Sequence, residues 1–451
     1  MRRAHLDVVL ATPRQYRDQV DRLHRRFLLT SELFSLQQAG VPLARVVQKR
    51  RRIARLMARE VRRGTYRLEP GELRTIRVDG KEREVYWFRL TDLLVHGAVA
   101  ALVEERMAAE LSSSLYSYRP GVSWGQGISD LAAYVRRHVR ERPDPRTRGL
   151  YVLRRDVDSY TDSIPVGERS PVWPMLERLL VPPGTRPPRP STWALVRDVV
   201  RPTIRLDGTA LGSRTHGVPT GQPISTALFN LYLTGFDAEL DSVPGAFYGR
   251  YSDDIVFAHP DPHVVRGVSA RMDEVLDGLG LRFNPAKRRD SYLTGAGRPS
   301  EAWPKASGTT HVSFLGTRVS GRGTVSLDRN KTKRLLLDLR HRARRAARSA
   351  GGDADARGAL AASVINEVLH PRRVAFQQRS AAMIRRMVTD REQLRQLDHA
   401  IARIAIEAAT GDRDIRAFRR IPYRRVREEW GLRSLLHERN QWGRVHAADP
   451  R

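Results

Sequence analysis

The sequence predicts an α+β fold in which a region of antiparallel strands lies between two basic helical ends. Runs of β-prone residues separated by turn residues recur between residues 64 and 327. Apolar residues at helical spacing, interleaved with arginine, fill residues 1–63 and the chain from residue 328 onward. We therefore divide the chain into a basic helical N-terminal extension (1–63), a central mixed domain (64–327) and a helical C-terminal region (328–451).

The charge balance favours a polyanionic partner. Lysine and arginine number 80 against 50 aspartate and glutamate residues, which gives the 451-residue chain a net charge of +30. Such an excess binds nucleic acid through phosphate contacts and the release of counterions. An arginine-rich proteome alone does not explain so large an excess, so we expect RNA or DNA binding. The absence of cysteine excludes disulfides and thiolate metal sites.

The sequence gives no sign of a membrane partner. No apolar run reaches the ~18 residues that a membrane-spanning helix needs. The N-terminus, Met-Arg-Arg-Ala-His-Leu-Asp, lacks the apolar segment of a secretory signal. We therefore expect a cytoplasmic protein.

Two predicted helices carry dense positive charge. Residues 46–63 alternate apolar positions with arginine, and residues 331–348 place leucines on one face against arginines. A solvated amphipathic helix is the alternative, but the density of arginine favours a contact with RNA or DNA. The residues that we assign to nucleic-acid binding are Arg50, Arg51, Arg52, Arg119, Lys331, Lys333 and Arg334.

Local patterns also predict the elements of the central domain. Strands are expected at 73–78 and 84–88, and a helix capped by Thr91 at 91–111. His96 on that helix is expected to be packed or hydrogen-bonded rather than to bind a ligand. Further along, we expect one helix at 226–240, a loop at 299–311, and a hairpin formed by 312–315 and 324–327.

Adjacent acids form the centre of the predicted chemistry. Two β-prone runs, 247–251 and 255–258, flank Ser252, Asp253 and Asp254, which predicts a tight hairpin with both carboxylates at its tip. By itself this stretch is equally compatible with a solvated turn. Neighbouring acids repel one another, and divalent cations would neutralise them. Asp156, at the end of a predicted strand, would complete a set of three carboxylates able to hold two Mg²⁺ ions for phosphoryl transfer.

Several motifs in this region resemble those of reverse transcriptases. Tyr251-Ser-Asp-Asp254 matches their Y-x-D-D box, and residues 153–164 are similar to their first aspartate motif. Residues 217–233 resemble the following glycine-rich motif, residues 280–287 the G-L-x-x-N-x-x-K motif, and residues 314–316 the primer-grip F-L-G. Ser117-Tyr-Arg-Pro-Gly121 and the preceding residues 80–96 resemble the fingers of bacterial enzymes related to group II introns. The motifs follow one another in the order of the family.

The resemblance implies a right-hand polymerase with fingers, a palm that carries an antiparallel sheet, and a helical thumb that begins near residue 331. Two Mg²⁺ ions, with Mn²⁺ as the alternative, would be held by Asp156, Val157, Asp253 and Asp254. The nucleotide would contact Lys81, Arg83, Tyr160, Thr161, Pro219, Thr220, Gly221, Gln222 and Lys287. The primer end would lie against Phe314, Leu315 and Gly316.

Some positions depart from the family pattern. Thr220 stands where the glycine-rich loop usually has a glutamine, and Thr161 stands where an aromatic residue usually excludes ribonucleotides. We hypothesise that Thr161 widens the sugar pocket, unless Tyr160 takes over the exclusion. Asp158 and Asp162 lie beside the first aspartate motif and are expected to be solvated or structural.

Within the family, the chain most resembles the free-standing, defence-associated reverse transcriptases. It lacks a cysteine- or histidine-rich endonuclease segment and the signature of retron enzymes. This likeness implies a structured noncoding RNA template, dNTP substrates, a cDNA product and a role against phage, and it leaves oligomerisation open. The alternatives are a group II intron-type maturase and a catalytically idle RNA-binding scaffold. The intact set of acids argues against the scaffold, since buried acids without metals only destabilise a fold.

Overall fold

The computed structural model describes residues 4–30, 43–78, 81–212, 214–370, 379–414 and 416–439. Its helices are α1 (Leu6–Leu10), α2 (Pro13–Thr30), α3 (Leu43–Gln48), α4 (Arg50–Arg63), α5 (Leu90–Met107), α6 (Trp124–Arg140), α7 (Tyr160–Ser163), α8 (Val172–Leu180), α9 (Pro190–Val200), α10 (Pro223–Tyr232), α11 (Thr234–Asp241), α12 (Pro262–Gly278), α13 (Arg329–Ser349), α14 (Ala354–Leu369), α15 (Arg379–Met387), α16 (Arg391–Thr410), α17 (Ala417–Arg420) and α18 (Tyr423–Glu428). Its strands are β1 (Gly71–Val78), β2 (Lys81–Trp87), β3 (Leu150–Asp156), β4 (Ile204–Leu206), β5 (Thr209–Ala210), β6 (Phe247–Tyr251), β7 (Asp254–His259), β8 (Arg289–Leu293), β9 (Ser307–Thr309), β10 (His311–Phe314), β11 (Thr317–Ser320) and β12 (Val325–Leu327). This content confirms the predicted α+β fold class.

The chain divides into two compact units, each built from two separate stretches of sequence. The first unit comprises residues 1–122 and 153–289, and the second comprises residues 123–152 and 290–451. The division expected from the sequence, with boundaries after residues 63 and 327, stays a prediction.

The first unit contains two groups of strands. One sheet has the order β2-β1-β4-β5, and β1 and β2 form the antiparallel pair that the sequence predicts. In the other group, β6 and β7 form an antiparallel hairpin, and β3 lies next to β7. The hairpin itself is as predicted, but Tyr251 pairs with Asp254, so the turn comprises Ser252 and Asp253, and Asp254 begins β7 instead of lying in the turn. The regular pairing of β6 with β7 therefore sets the position of Asp253 and Asp254.

Helix α5 forms much of the core of the first unit because it is apolar on nearly every side, from Leu94 and Val95 to Leu102 and Val103. His96 is fully buried in this helix, and its ring lies 5.0 Å from the ring of Phe88. Burial lowers the pKa of His96 to about 3. Neither ring nitrogen has a hydrogen-bond partner in the described structure. The prediction of a packed or hydrogen-bonded histidine is therefore confirmed through packing.

Two expected helix boundaries are wrong. Helix α5 begins at Leu90 rather than at Thr91, and its N-cap, Arg89, makes no side-chain capping bond. The helix expected at 226–240 is broken into α10 and α11 at Leu233. Close to this break, the Thr234 hydroxyl donates a hydrogen bond to the Asn230 carbonyl at 3.1 Å. Such back-bonding by threonine bends helices.

The second unit contains a three-stranded sheet of order β10-β11-β12. The sequence predicts a hairpin of 312–315 with 324–327, but the structure places β11 between these strands. Leu315 and Gly316 both have positive φ angles, of 52° and 78°, so they form a two-residue turn directly after β10. The loop expected at 299–311 is also interrupted, because it contains β9. Both errors come from short strands with little apolar alternation.

Helices α13, α14 and α16 pack together in the second unit. Leu335, Leu339 and Ala343 form the buried stripe of α13, as the leucine spacing predicts. On α16, the buried carboxylate of Glu407 pairs with Arg340 and Arg344 of α13 and with Arg413. No helix in the described ranges combines the length and the apolar character needed to cross a bilayer.

Candidate active site

The hairpin of β6 and β7 carries two acids at a strained tip. Ser252 adopts the left-handed conformation, with φ of 58°, directly before Asp253 and Asp254. Its main-chain N–H donates to the Ser117 hydroxyl at 2.9 Å. The Asp253 carbonyl accepts a hydrogen bond from the Val157 N–H at 3.1 Å, immediately after β3. The tip is therefore fixed from two sides.

A fully buried ion pair between Arg250 and Asp237 anchors this hairpin to α11. Arg250 of β6 donates to both carboxylate oxygens of Asp237 of α11, at 2.6 Å and 2.5 Å. The same guanidinium donates to the Ser252 carbonyl at 3.1 Å, and the Tyr248 hydroxyl donates to Asp237. The sequence analysis missed this pair, although a charged residue inside each of two apolar segments was a usable signal.

Residues 114–116 lie along the edge of β6 and pair with it. Arg250 exchanges main-chain hydrogen bonds with this segment: its N–H donates to Ser114 and its carbonyl accepts from Tyr116, both at 2.9 Å. The Asn230 side-chain amide donates to the Ser117 carbonyl at 3.0 Å. This pairing brings Tyr118, which follows the segment, beside the acidic tip.

Asp156 ends β3 and faces a cation. The Lys287 ammonium lies 2.7 Å from the Asp156 carboxylate, and this hydrogen bond raises the pKa of Lys287. Asp254 has its own cation, because the Arg154 Nε lies 3.4 Å from its carboxylate. Two of the three predicted acids are therefore paired with basic side chains.

The carboxyl groups of the hairpin are poorly solvated. Burial raises the pKa of Asp253, and the nearby charge of Asp156 adds to the increase. Burial also raises the pKa of Asp254, although Arg154 opposes the shift. Asp253 and Asp156 each add to this increase in the pKa of Asp254, so the three carboxylates are electrostatically coupled. Additional positive charge would relieve this repulsion.

The acidic residues of the cleft were compared with the requirements of a divalent metal site. Among the residues described, no three histidine, cysteine or acidic side chains are arranged closely enough to hold a metal ion. The chemistry of the donor set nevertheless fits a hard divalent cation, since it consists of carboxylate oxygens whose negative charge is only partly neutralised by Lys287 and Arg154. The metal role of Asp156, Val157, Asp253 and Asp254 stays a prediction.

Most of the predicted nucleotide residues line one cleft of about 630 Å³ in the first unit. The predicted residues in its walls are Asp156, Val157, Tyr160, Thr161, Thr220, Gly221, Gln222, Asp253 and Lys287. Pro219 and Asp254 are not part of the lining. The walls also contain residues to which we assigned no site role, namely Tyr118, Asp158, Ser159, Ser225, Thr226, Phe229, Ser252 and Asn284. All of these additional residues lie within the motifs quoted from the sequence.

Comparison with known families finds a match over a segment that supplies part of the lining of this cleft. Residues 186–319 match the family model described as reverse transcriptase (RNA-dependent DNA polymerase). The chain contains a reverse transcriptase domain. The matched segment is under a third of the chain; it includes Asp253, Asp254 and Lys287 and begins after Asp156.

No curated protein matches the sequence. Among solved structures, the chain is similar to apo telomerase from Candida tropicalis truncated from its C-terminal domain, at 14% identity and a TM-score of 0.43, over 58% of this chain and 56% of that chain. It is also similar to telomerase from Candida albicans in complex with a TWJ fragment of telomeric RNA, at 11% identity and a TM-score of 0.44, over 85% of this chain and 67% of that chain. The aligned part of the chain therefore spans roughly half to two-thirds of the length of these telomerase chains.

Tyr160 and Thr161 occupy different environments in the reverse transcriptase cleft. The Tyr160 side chain is buried, and its hydroxyl donates to the Phe229 carbonyl at 2.6 Å. Thr161 is only half-buried. Of these two residues, Thr161 has the more accessible side chain.

The glycine-rich loop of the domain contributes Gln222, whose side chain is only 3% exposed. Neither atom of its amide has a hydrogen-bond partner within the described structure. The Thr220 hydroxyl donates to the Glu84 carbonyl of β2 at 3.2 Å, which ties the loop to that strand. Lys81 and Arg83 lie in β2, but their side chains fall outside the described part of the chain.

The predicted primer grip lies in the second unit. Phe314 is fully buried, and Leu315 and Gly316 form the turn between β10 and β11. The Lys331 ammonium of α13 donates to the Leu315 carbonyl at 3.2 Å. Lys331 therefore contacts the main chain of the predicted grip, whereas Lys333 and Arg334 are exposed on the same helix.

The other predicted nucleic-acid residues differ in exposure. Arg51 and Arg52 are exposed on α4, whereas Arg50 is half-buried and donates to the Val47 carbonyl at 3.1 Å. Arg119 is half-buried and donates to the Ser112 carbonyl at 2.8 Å. Asp158, which we expected to be solvated or structural, lies 3.5 Å from Arg282 and lines the cleft, while Asp162 is exposed.

Proposed function

We propose that the protein synthesises DNA on an RNA template. One observation carries the proposal: Asp253 lines the same cleft as Asp156, Lys287 and the glycine-rich loop, and residues 186–319 match the reverse transcriptase family. Nucleotide transfer needs acidic groups, a cation for the phosphates and a pocket for the sugar and base at one place. These residues supply all three.

Asp156, Asp253 and Asp254 would hold two divalent cations, with Mg²⁺ as the expected ion and Mn²⁺ as the alternative. When bound, such ions activate the attacking 3′-hydroxyl and neutralise charge on the phosphates. The protein side of the site has two requirements. Asp253 must stay ionised, and Lys287 and Arg154 must release their carboxylates, which are 2.7 Å and 3.4 Å away.

Lys287 is a suitable phosphate ligand because its ammonium is exposed at the cleft. A triphosphate would compete with Asp156 for this ammonium, so nucleotide binding would free Asp156. Gln222 would complete the pocket, because a nucleotide could supply the partners that its buried amide lacks. Thr161 and Gly221 would leave room for the sugar.

The template in this proposal is a structured noncoding RNA, the product is cDNA, and the biological role is defence against phage. The resemblance to bacterial enzymes related to group II introns supports this choice through the motifs at residues 80–96 and 117–121. The net charge of +30 supports a polyanionic partner.

The test compares the full chain with the double variant Asp253→Asn, Asp254→Asn on an oligo(dT) primer annealed to poly(rA). The wild type should incorporate dTTP in the presence of Mg²⁺, and the double variant should lose more than about 1,000-fold of the rate, since both acids would hold the cations that stabilise the reacting phosphate. The variant Asp277→Asn is a control for the loss of an acidic side chain away from the cleft lining, because Asp277 is exposed at the end of α12. An inactive wild type, or a double variant as active as this control, would refute the proposal.

The defence role has a separate test. Sequencing the nucleic acid that copurifies with the protein should yield one structured RNA together with complementary DNA. Cells that carry the double variant should lose phage protection. Full protection by the double variant would instead support a scaffold that does not need polymerisation.

A further inference from the structure

Tyr118 presents the accessible aromatic ring of the cleft. Three aromatic side chains line it, of which Tyr160 and Phe229 are only 3% and 4% exposed, whereas Tyr118 is 45% exposed. The Tyr160 hydroxyl already bonds to the main chain of α10. Of these three, Tyr118 therefore has by far the most surface available to a ligand.

The backbone of Tyr118 is strained. Its φ of 49° lies in the left-handed region, which disfavours residues with a side chain. Within the described residues, the other non-glycine residues with positive φ are Ser159, Asp207, Ser252 and Leu315. Ser159 and Ser252 line the same cleft as Tyr118. Such strain concentrates at functional sites because the surrounding structure must hold it in place.

The surrounding contacts fix the orientation of the Tyr118 ring. Ser117 is held by the N–H of Ser252 and by the amide of Asn230. The Tyr118 ring lies 6.2 Å from the ring of Tyr251 and 6.4 Å from that of Phe229, measured between centroids. The ring is thus held between the acidic hairpin and α10 with much of its surface open.

We infer that Tyr118 is a specificity-determining residue, whose ring packs against the sugar and base of the incoming nucleotide. The inference rests on the proposed polymerase function and names a contact that the family motifs did not assign. An aromatic face favours a nucleobase through stacking. It also disfavours an added hydroxyl that would lose its water without gaining a partner. Tyr118 would therefore help to select deoxyribonucleotides where Thr161 is small.

Because Tyr118 has a positive φ angle, its ring can be removed by a substitution that does not strain the backbone. Tyr118→Gly removes the ring at a position whose φ suits glycine. Asp207→Gly is the matched control, because Asp207 has the same φ of 49° and lies in the turn between β4 and β5, away from the cleft lining. Tyr118→Asn, which tolerates the left-handed region, is a second ring-free variant in case the glycine variant does not fold.

The assay uses oligo(dT) on poly(rA), with dTTP or UTP as the varied nucleotide, and records melting temperature alongside kcat and KM. Tyr118→Gly should raise the KM for dTTP about tenfold, the scale of one lost base–aromatic stack, with a smaller change in kcat. Its preference for dTTP over UTP should fall, and its melting temperature should match that of the wild type. Tyr118→Phe should recover much of the lost affinity, and Asp207→Gly should change neither KM nor the preference.

The outcomes separate this inference from the proposed function. A wild type that incorporates no dTTP refutes the polymerase itself. An active wild type with unchanged KM and unchanged preference in the ring-free variants refutes the role of Tyr118. A lower melting temperature with unchanged KM would show that the ring only stabilises the fold, and this also overturns the inference.

Discussion

At the hairpin tip, Asp253 lies in an environment that disfavours the ionised form of its carboxyl group. Asp253 loses hydration through burial and faces the charge of Asp156, so its pKa is raised. The folded protein consequently binds a proton at Asp253 more tightly than the unfolded chain does. The free energy of unfolding must therefore fall as the pH rises through this pKa.

Replacing Asp253 by asparagine should stabilise the protein at neutral pH while removing its activity. We expect the melting temperature to rise at pH 7 by about 2 °C, which corresponds to roughly 1 kcal/mol in a protein of this size. The difference from the wild type should shrink as the pH falls toward about 4, where an ordinary aspartate takes up its proton. Thermal unfolding between pH 4 and pH 8 in a chelating buffer measures this, with Asp277→Asn as the control. A less stable Asp253→Asn at pH 7 would contradict the assignment.

Gln222 is a second residue whose environment is less favourable in the free protein than it would be with a nucleotide bound. Its amide is buried and has no partner in the described structure. Gln222→Met should raise the free energy of unfolding by about 1–3 kcal/mol, the scale of an unsatisfied buried polar group. The same variant should weaken dNTP binding in the extension assay. The idea fails if Gln222→Met is less stable and its KM is unaltered.

At the scale of elements, the β6–β7 hairpin depends on a charge pair that lies outside the family motifs quoted above. Asp237 on α11 and Arg250 on β6 are both fully buried, and Arg250 also holds the Ser252 carbonyl of the tip. The pair therefore connects α11 to the position of Asp253. Removing one member would leave the other charge buried and unpaired, which is strongly unfavourable.

Asp237→Asn should lower the free energy of unfolding by about 3–5 kcal/mol, as breaking a buried ion pair does. Helix α11 offers a matched control in Glu239, which pairs with Arg271 at a more exposed position. Glu239→Gln should cost less than about 1 kcal/mol. Chemical denaturation of the three proteins measures the difference. Equal losses of unfolding free energy in the two variants would show that the buried pair stabilises the protein no more than the exposed pair does.

For the molecule as a whole, charge sets the expected behaviour toward nucleic acid. Arg51, Arg52 and Arg55 are exposed on α4, and the net charge is +30. Each phosphate contact adds about 0.7–0.9 to the slope of log K against log salt concentration. RNA affinity should therefore fall steeply with salt.

Replacing Arg51, Arg52 and Arg55 by glutamine should lower the magnitude of that slope by about 2–3. The control replaces Arg271, Arg395 and Arg424 by glutamine and so removes the same amount of charge. Each of these arginines forms an ion pair with a glutamate three or four residues away. RNA binding measured between 50 and 300 mM salt, a range of about twofold in Debye length, gives both slopes. Equal slopes for the two triple variants would remove α4 from the nucleic-acid surface.

The motifs were predictable because each depends on a short run of residues. The β6–β7 hairpin follows from alternation on either side of Ser252, and β1 and β2 follow from the turn residues between them. The strand β11 was missed because it is short and its sequence, Thr-Arg-Val-Ser, shows little apolar alternation. The break between α10 and α11 was missed because apolar spacing continues through Leu233.

The sequence by itself determined the α+β class, because the class follows from local periodicity and spacing. The order of the motifs and the residue types of the site were predicted from the resemblance to reverse transcriptases. Only the tertiary structure decided which residues share the cleft. It buried Tyr160, left Tyr118 accessible, and paired Asp156 with Lys287 across 131 positions of sequence. It also paired Asp237 with Arg250. The reason is physical: burial and pairing depend on what the rest of the chain places around a residue, and local patterns do not specify which distant residue that is.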